Sequence, residues 1–182
     1  MQLKEKQIAL LRGINVGKAK RVAMADLRKL LEGFGWSEVK TLLNSGNAVY
    51  SAPGVDPATA GAMIEKGIAE ELGVTARVVV ITAEELEKAA EENPYRDEPA
   101  LDPSRLLLGV LVDPADKKKL EPMLAEDWGP DHFAVGTRVA YLWCEGGILE
   151  SRLPAALGKA LRDGVTSRNW ATWQKLQAMV QS

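Results

Sequence analysis

Four consecutive apolar residues near the start of the chain, Ile8, Ala9, Leu10 and Leu11, constrain the fold most. A strand with one wet face alternates apolar and polar side chains; an unbroken run asks for a strand covered on both faces, at the centre of a sheet. The run stops at Arg12, Gly13, Ile14, Asn15, Val16 and Gly17, and Lys18, Lys20 and Arg21 follow. A buried strand opening into a glycine-bearing cationic loop before a helix is a common way to hold an anion, because glycine lets backbone N–H groups approach and a helix start adds positive potential.

The elements around that strand follow in order. Met24, Leu27, Leu31 and Phe34 recur at helical spacing, and Gly33 and Gly35 end that helix. Val39 to Leu43 and Ala48 to Ser51 read as strands joined by Asn44, Ser45, Gly46 and Asn47. Asp56 and Pro57 form an N-cap and first-turn pair for a helix that ends at Gly73. Thr75 to Ile81 is a further strand, and Thr82 with Glu85 has capping-box spacing for a helix stopped by Asn93 and Pro94. The order β-α-β-β-α-β is the split unit of ferredoxin-like folds.

Pro94 to Ser104 carries three prolines and little periodicity, which marks a linker. Beyond it, Leu106 to Val112 is an apolar strand, and Asp113 and Pro114 cap a short helix broken near Pro122. A hairpin of Asp131 to Val135 and Arg138 to Cys144 turns at Gly136 and Thr137, with glycine first as a type II′ turn requires. Pro154 to Arg162 is helical, and a last helix from about Arg168 to Val180 aligns Trp170, Trp173, Leu176 and Val180 on one face. The expectation is an α+β protein of two tandem ferredoxin-like halves, residues 1–93 and 105–182 with 94–104 as linker, the C-terminal helix packing on the body.

Net charge is −2, so no global field draws the chain to nucleic acid or acidic membranes. The charge is unevenly spread. In residues 1–40 nine cations face four anions, whereas from Thr82 to Asp102 eight anions face Lys88 and Arg96. Solvated helix faces account for such runs in most proteins. No signal-peptide pattern and no run of ~18 apolar residues is present, so a cytoplasmic protein with no membrane partner is expected.

Arg12, Gly13, Asn15 and Gly17 are candidate ligand-binding residues. The alternative role for Arg12 and Asn15 is to bond neighbouring backbone and fix the strand-to-helix geometry. Neither a P-loop nor a dinucleotide fingerprint fits the glycine spacing. Ser45 and Asn47 would add donors if their turn lies beside that loop, although turn residues of this kind more often satisfy their own backbone. Arg168 and Asn169 complete the candidates: an arginine in the first turn of a helix opposes the helix dipole, a misfit that asks for a reason. His132 and Cys144 are each the single residue of their kind, too few for a zinc site, and no nucleophile elbow is present. No catalytic residue, metal or cofactor is assigned. Strand aromatics that would stack RNA bases are lacking, since the first strand has none and the third only Tyr50.

The motifs Ala9-Leu10-Leu11-Arg12-Gly13-Ile14-Asn15-Val16-Gly17, then Met24, Leu27 and Leu31, Ser45-Gly46-Asn47, Thr166, Arg168-Asn169-Trp170 and Lys175-Leu176 resemble the bacterial family catalogued as Domain of Unknown Function 1697. The chain departs from that pattern at Lys18, Ala171 and Trp173. The resemblance implies an α+β fold and a cytoplasmic bacterial protein, and no activity. From the residues, the leading expectation is binding of a phosphate-bearing small molecule at these loops. The alternatives are nucleic-acid binding through the basic N-terminal region and a protein-interaction module using the oppositely charged stretches. Oligomeric state is not legible.

Overall fold

The computed structural model describes residues 6–182. Lys4 and Glu5, counted in the basic N-terminal stretch, lie outside the described residues. Among the described residues, eight strands and six α-helices make an α+β fold with two four-stranded antiparallel sheets. The chain divides into two compact units, one formed by the residues up to Leu86 with Leu176–Ser182, the other by Glu87–Lys175. The last turns of the C-terminal helix thus group with the first unit, where the sequence suggested that the whole helix goes with the second half.

In the first unit β1 (Lys6–Arg12) pairs with both β3 (Asn47–Ser51) and β4 (Arg77–Thr82), and β2 (Ser37–Leu42) borders β3, giving the order β2-β3-β1-β4. Ile8, Ala9, Leu10 and Leu11 are all buried, as an unbroken apolar run in a central strand requires. One face packs on α1 (Met24–Gly33) and α2 (Pro57–Leu72): Ala9, Leu11, Ala48 and Tyr50 join Leu27, Leu31, Ile64 and Ile68 in one apolar cluster. Tyr50 stacks on Trp36 with ring centroids 4.6 Å apart, and its hydroxyl donates to Gln7 Oε1 at 3.1 Å. It is a core residue and presents no face to a base.

The capping chemistry matches the residues that announce it. Asp56 Oδ1 accepts from Thr59 N at 2.9 Å, and α2 ends at Gly73 in the left-handed region. Thr82 Oγ1 accepts from Glu85 N at 3.1 Å while Glu85 Oε2 accepts from Thr82 N at 2.9 Å, both halves of a capping box that starts α3 (Ala83–Glu92).

In the second unit β5 (Leu106–Leu111) pairs with β7 (Val139–Trp143) and β8 (Val165–Asn169), and β6 (His132–Val135) borders β7, giving β6-β7-β5-β8. Asp113 caps a 3-10 turn from Pro114 to Leu120, which passes into α4 (Glu121–Ala125) with Pro122 in its first turn, so that proline starts a helix where a break was expected. The apolar cluster gathers Leu111, Ala140, Leu142 and Cys144 with Leu153, Leu157 and Leu161 of α5 (Leu153–Leu161). Burial raises the Cys144 thiol, the state of an inert core cysteine.

Two local expectations are corrected. The hairpin turn sits one residue later than the sequence suggested: Val135 pairs with Ala140, and Gly136 N donates to Val139 O at 2.8 Å, leaving Thr137 and Arg138 at the bend. Gly136 is not in the left-handed region, so the turn is not type II′. Glycine is there for space, because a Cβ would stand 2.5 Å from Glu92 Oε2 and 3.1 Å from the Tyr141 ring. The second correction concerns Thr166 to Asn169, which form the edge strand β8 and no part of a helix; α6 (Trp170–Gln181) begins after them. Its predicted face holds, with Trp170, Trp173, Leu176 and Val180 all buried. Within the first unit the Lys6 ammonium donates to Val180 O at 2.9 Å, a cation placed at a helix C-terminus.

Candidate functional site

Arg12 ends β1, and the chain leaves the sheet through Gly13 and Asn15, which hold φ of 79° and 52°. From Asn15 to Val22 it makes a loop closed at its root by one side chain. Asn15 Oδ1 accepts from Val22 N at 2.9 Å, and Asn15 Nδ2 donates to Val22 O at 3.0 Å and to Asn44 O at 2.7 Å. Asn15 N also donates to Lys20 O at 2.8 Å. Asparagine suits the position twice: it tolerates the left-handed region better than other non-glycine residues, and its amide both donates and accepts.

The bond to Asn44 brings the β2–β3 turn beside this loop, and Gly46 completes the junction. Gly46 O accepts from Leu11 N at 2.9 Å; a Cβ on Gly46 would lie 2.7 Å from Ile14 Cδ1 and 2.8 Å from Leu11 Cβ. Its φ of 94° also disfavours any side chain. Asn47 is fully buried, and its Nδ2 donates to Leu42 O at 2.7 Å and Ser45 Oγ at 3.2 Å. The structure therefore brings Arg12, Gly13, Asn15, Gly17, Ser45 and Asn47 into one neighbourhood, with the amides of Asn15 and Asn47 engaged by the protein's own backbone. What the loop turns to solvent is different: Val16, Gly17, Lys18, Ala19, Lys20 and Arg21 are all exposed.

Arg168 and Asn169 lie in the second unit. Arg168 pairs across the ladder with Leu108 and donates from Nη1 to Ser167 O at 2.8 Å. Burial brings its guanidinium down to about 10, still charged at neutral pH. Its place on a strand removes the apparent conflict with a helix dipole. Asn169 is the N-cap of α6, its Oδ1 accepting from Thr172 N at 2.9 Å.

No sequence motif marks a cleft of about 470 Å³ in the second unit, lined by Pro94, Tyr95, Glu98, Ala100, Leu101, His132, Trp143 and Glu145. His132 and Trp143 stand directly opposite each other on β6 and β7, and the Tyr95 ring is 6.3 Å from that of His132. Trp143 Nε1 donates to Glu145 Oε2 at 2.7 Å. Among the described helices none is long and apolar enough to cross a membrane.

A family model described as a protein of unknown function, DUF1697, matches residues 5–141. Among curated proteins nothing matches. Of solved structures, the chain is similar to the conserved bacterial protein SP0830 from Streptococcus pneumoniae, with a TM-score of 0.77 at 22% identity over 96% of this chain and 98% of that one. At that identity the likeness is one of fold.

Proposed function

The chain belongs to the DUF1697 family of proteins of unknown function, and we propose that its first unit binds phosphate-bearing small molecules at the loop from Arg12 to Arg21. One observation supports this most: the Asn15 amide pins the loop at its root through three hydrogen bonds while Lys18, Lys20 and Arg21 stand exposed beyond it. A loop fixed at its base holds its charges in place before a ligand arrives, which lowers the ordering cost of binding. Asn15, Ser45, Gly46 and Asn47 build the frame. Gly17 and the three cations, with Arg12 and Gly13 at the root, supply the anion-facing part. Arg168 and Asn169 belong to the second unit and are not assigned to this site.

We also infer that each unit is a ferredoxin-like module. Support comes from the two sheet orders, β2-β3-β1-β4 and β6-β7-β5-β8, which correspond position by position.

Isothermal titration with inorganic pyrophosphate and a sugar phosphate tests the anion site. Replacing Lys18, Lys20 and Arg21 together by glutamine keeps the chain length and removes the charge. Loss of three charge-assisted contacts is expected to weaken binding by at least about tenfold. Equal heats for both proteins would overturn the proposal. Tight, steeply salt-dependent binding to a short RNA with no heat from either phosphate would assign the same cations to a nucleic-acid backbone instead.

A further inference from the structure

We infer that the cleft between the Tyr95 turn and the β6–β7 hairpin in the second unit is a binding site for a small organic cation, independent of the anion loop. Its walls carry three flat rings, Tyr95, His132 and Trp143, and two carboxylates, Glu98 and Glu145. The electron-rich faces of Tyr95 and Trp143 attract ammonium and guanidinium groups, and carboxylates at the same opening add long-range attraction. A volume of about 470 Å³ is of the size that encloses a metabolite.

The walls are built before any ligand arrives. Asn93 Oδ1 accepts from Tyr95 N at 3.0 Å and Glu98 N donates to Tyr95 O at 3.1 Å, so the turn holds ring and carboxylate together. Glu145 is held at three points: its N–H donates to Asp131 Oδ1 at 2.9 Å, its carbonyl accepts from Arg105 Nη1 at 2.6 Å, and its carboxylate accepts from the Trp143 indole. That last bond orients the indole. Of the nearby arginines, Arg96 pairs with Asp97 at 3.5 Å, and Arg105, which also donates to the Glu145 carbonyl, pairs with the Asp102 carboxylate at 3.6 Å. Neither Glu98 nor Glu145 has an ion-pair partner among the described residues. The cleft thus combines aromatic walls with excess negative charge, which suits a cation and repels the phosphates proposed for the first unit.

The test uses the full chain, with choline as probe and neohexyl alcohol as its uncharged isostere of the same shape. The indole N–H resonance of Trp143, assigned by its loss in Trp143→Phe, reports occupancy in proton–nitrogen spectra. Choline is expected to shift that resonance with an affinity about tenfold above that of neohexyl alcohol. Glu98→Gln is expected to weaken choline and leave the alcohol unchanged; Glu98 is exposed, so the variant folds. Equal titrations for the two probes would overturn the inference, as would a Trp143 resonance that moves with neither, or a choline affinity indifferent to Glu98→Gln.

Discussion

Replacing Asn15 separates its possible roles in one experiment. Its side chain makes three hydrogen bonds, at 2.9, 3.0 and 2.7 Å, and its backbone sits at φ 52°. These bonds are partly exposed to water, so each contributes about 0.5–1 kcal/mol. An alanine there adds roughly 1 kcal/mol of left-handed strain. Asn15→Ala is therefore expected to destabilise the first unit by about 2.5–4 kcal/mol, and Asn15→Gly, which loses the bonds without the strain, by about 1 kcal/mol less. Asn15→Asp keeps the acceptor for Val22 N but sets a carboxylate against the carbonyls of Val22 and Asn44, and is expected to resemble alanine at neutral pH. Urea denaturation followed by circular dichroism reads the effect. If Asn15→Ala and Asn15→Gly both stayed within about 0.5 kcal/mol of the wild type, the side chain would not clamp the loop, and the loop's conformation would need another cause.

Tyr141→Phe removes a hydroxyl that donates to Ala89 O at 2.5 Å in a buried setting, and a loss of about 1–3 kcal/mol is expected in thermal unfolding. Thr82→Ala removes one half of the α3 capping box and is expected to reduce stability by about 1 kcal/mol, readable in the same assay. For Glu92, burial works to raise the carboxyl, but the hydrogen bonds from Thr137, with Lys88 and Lys117 nearby, hold it below its ordinary value. A depressed folded-state carboxyl adds stability above its unfolded value and loses it as pH falls through the folded one, so this contribution is full at neutral pH and fades below about 4.5. Thr137→Val is expected to flatten that acid limb of the stability profile, and an unchanged limb would count against it.

Elements whose signals are local could be read from the sequence. Asp56, Gly73 and the Thr82–Glu85 pair announce their caps because each bond closes within a few residues. Ile8 to Leu11 reads as central because both its faces are buried. The edge strand β8 was hidden because its polar residues, Thr166 to Asn169, look like a helix cap, and only the last of them is one. The cleft was hidden for a different reason. Its residues come from 94–101 and 132–145, and the turn expected at Gly136 and Thr137 would have set His132 opposite Tyr141 in place of Trp143. The role of Asn15 was open in the sequence because an amide beside a glycine loop serves a ligand or the backbone equally well, and its partner Asn44 O becomes a neighbour only on folding; Asn47 follows the commoner course of a turn residue, bonding Leu42 O and Ser45 Oγ close by in the chain.

The most direct test of the central claim is a residue-resolved titration of the full chain with inorganic pyrophosphate, following backbone amide resonances. Shifts are expected to concentrate at Gly13, Gly17 and Lys18 and at the side chains of Lys18, Lys20 and Arg21, with the Asn15 and Asn47 side-chain amides retaining their bonds to Val22, Asn44 and Leu42. Shifts scattered over unrelated lysines, or none at all in the loop from Arg12 to Arg21, would contradict it.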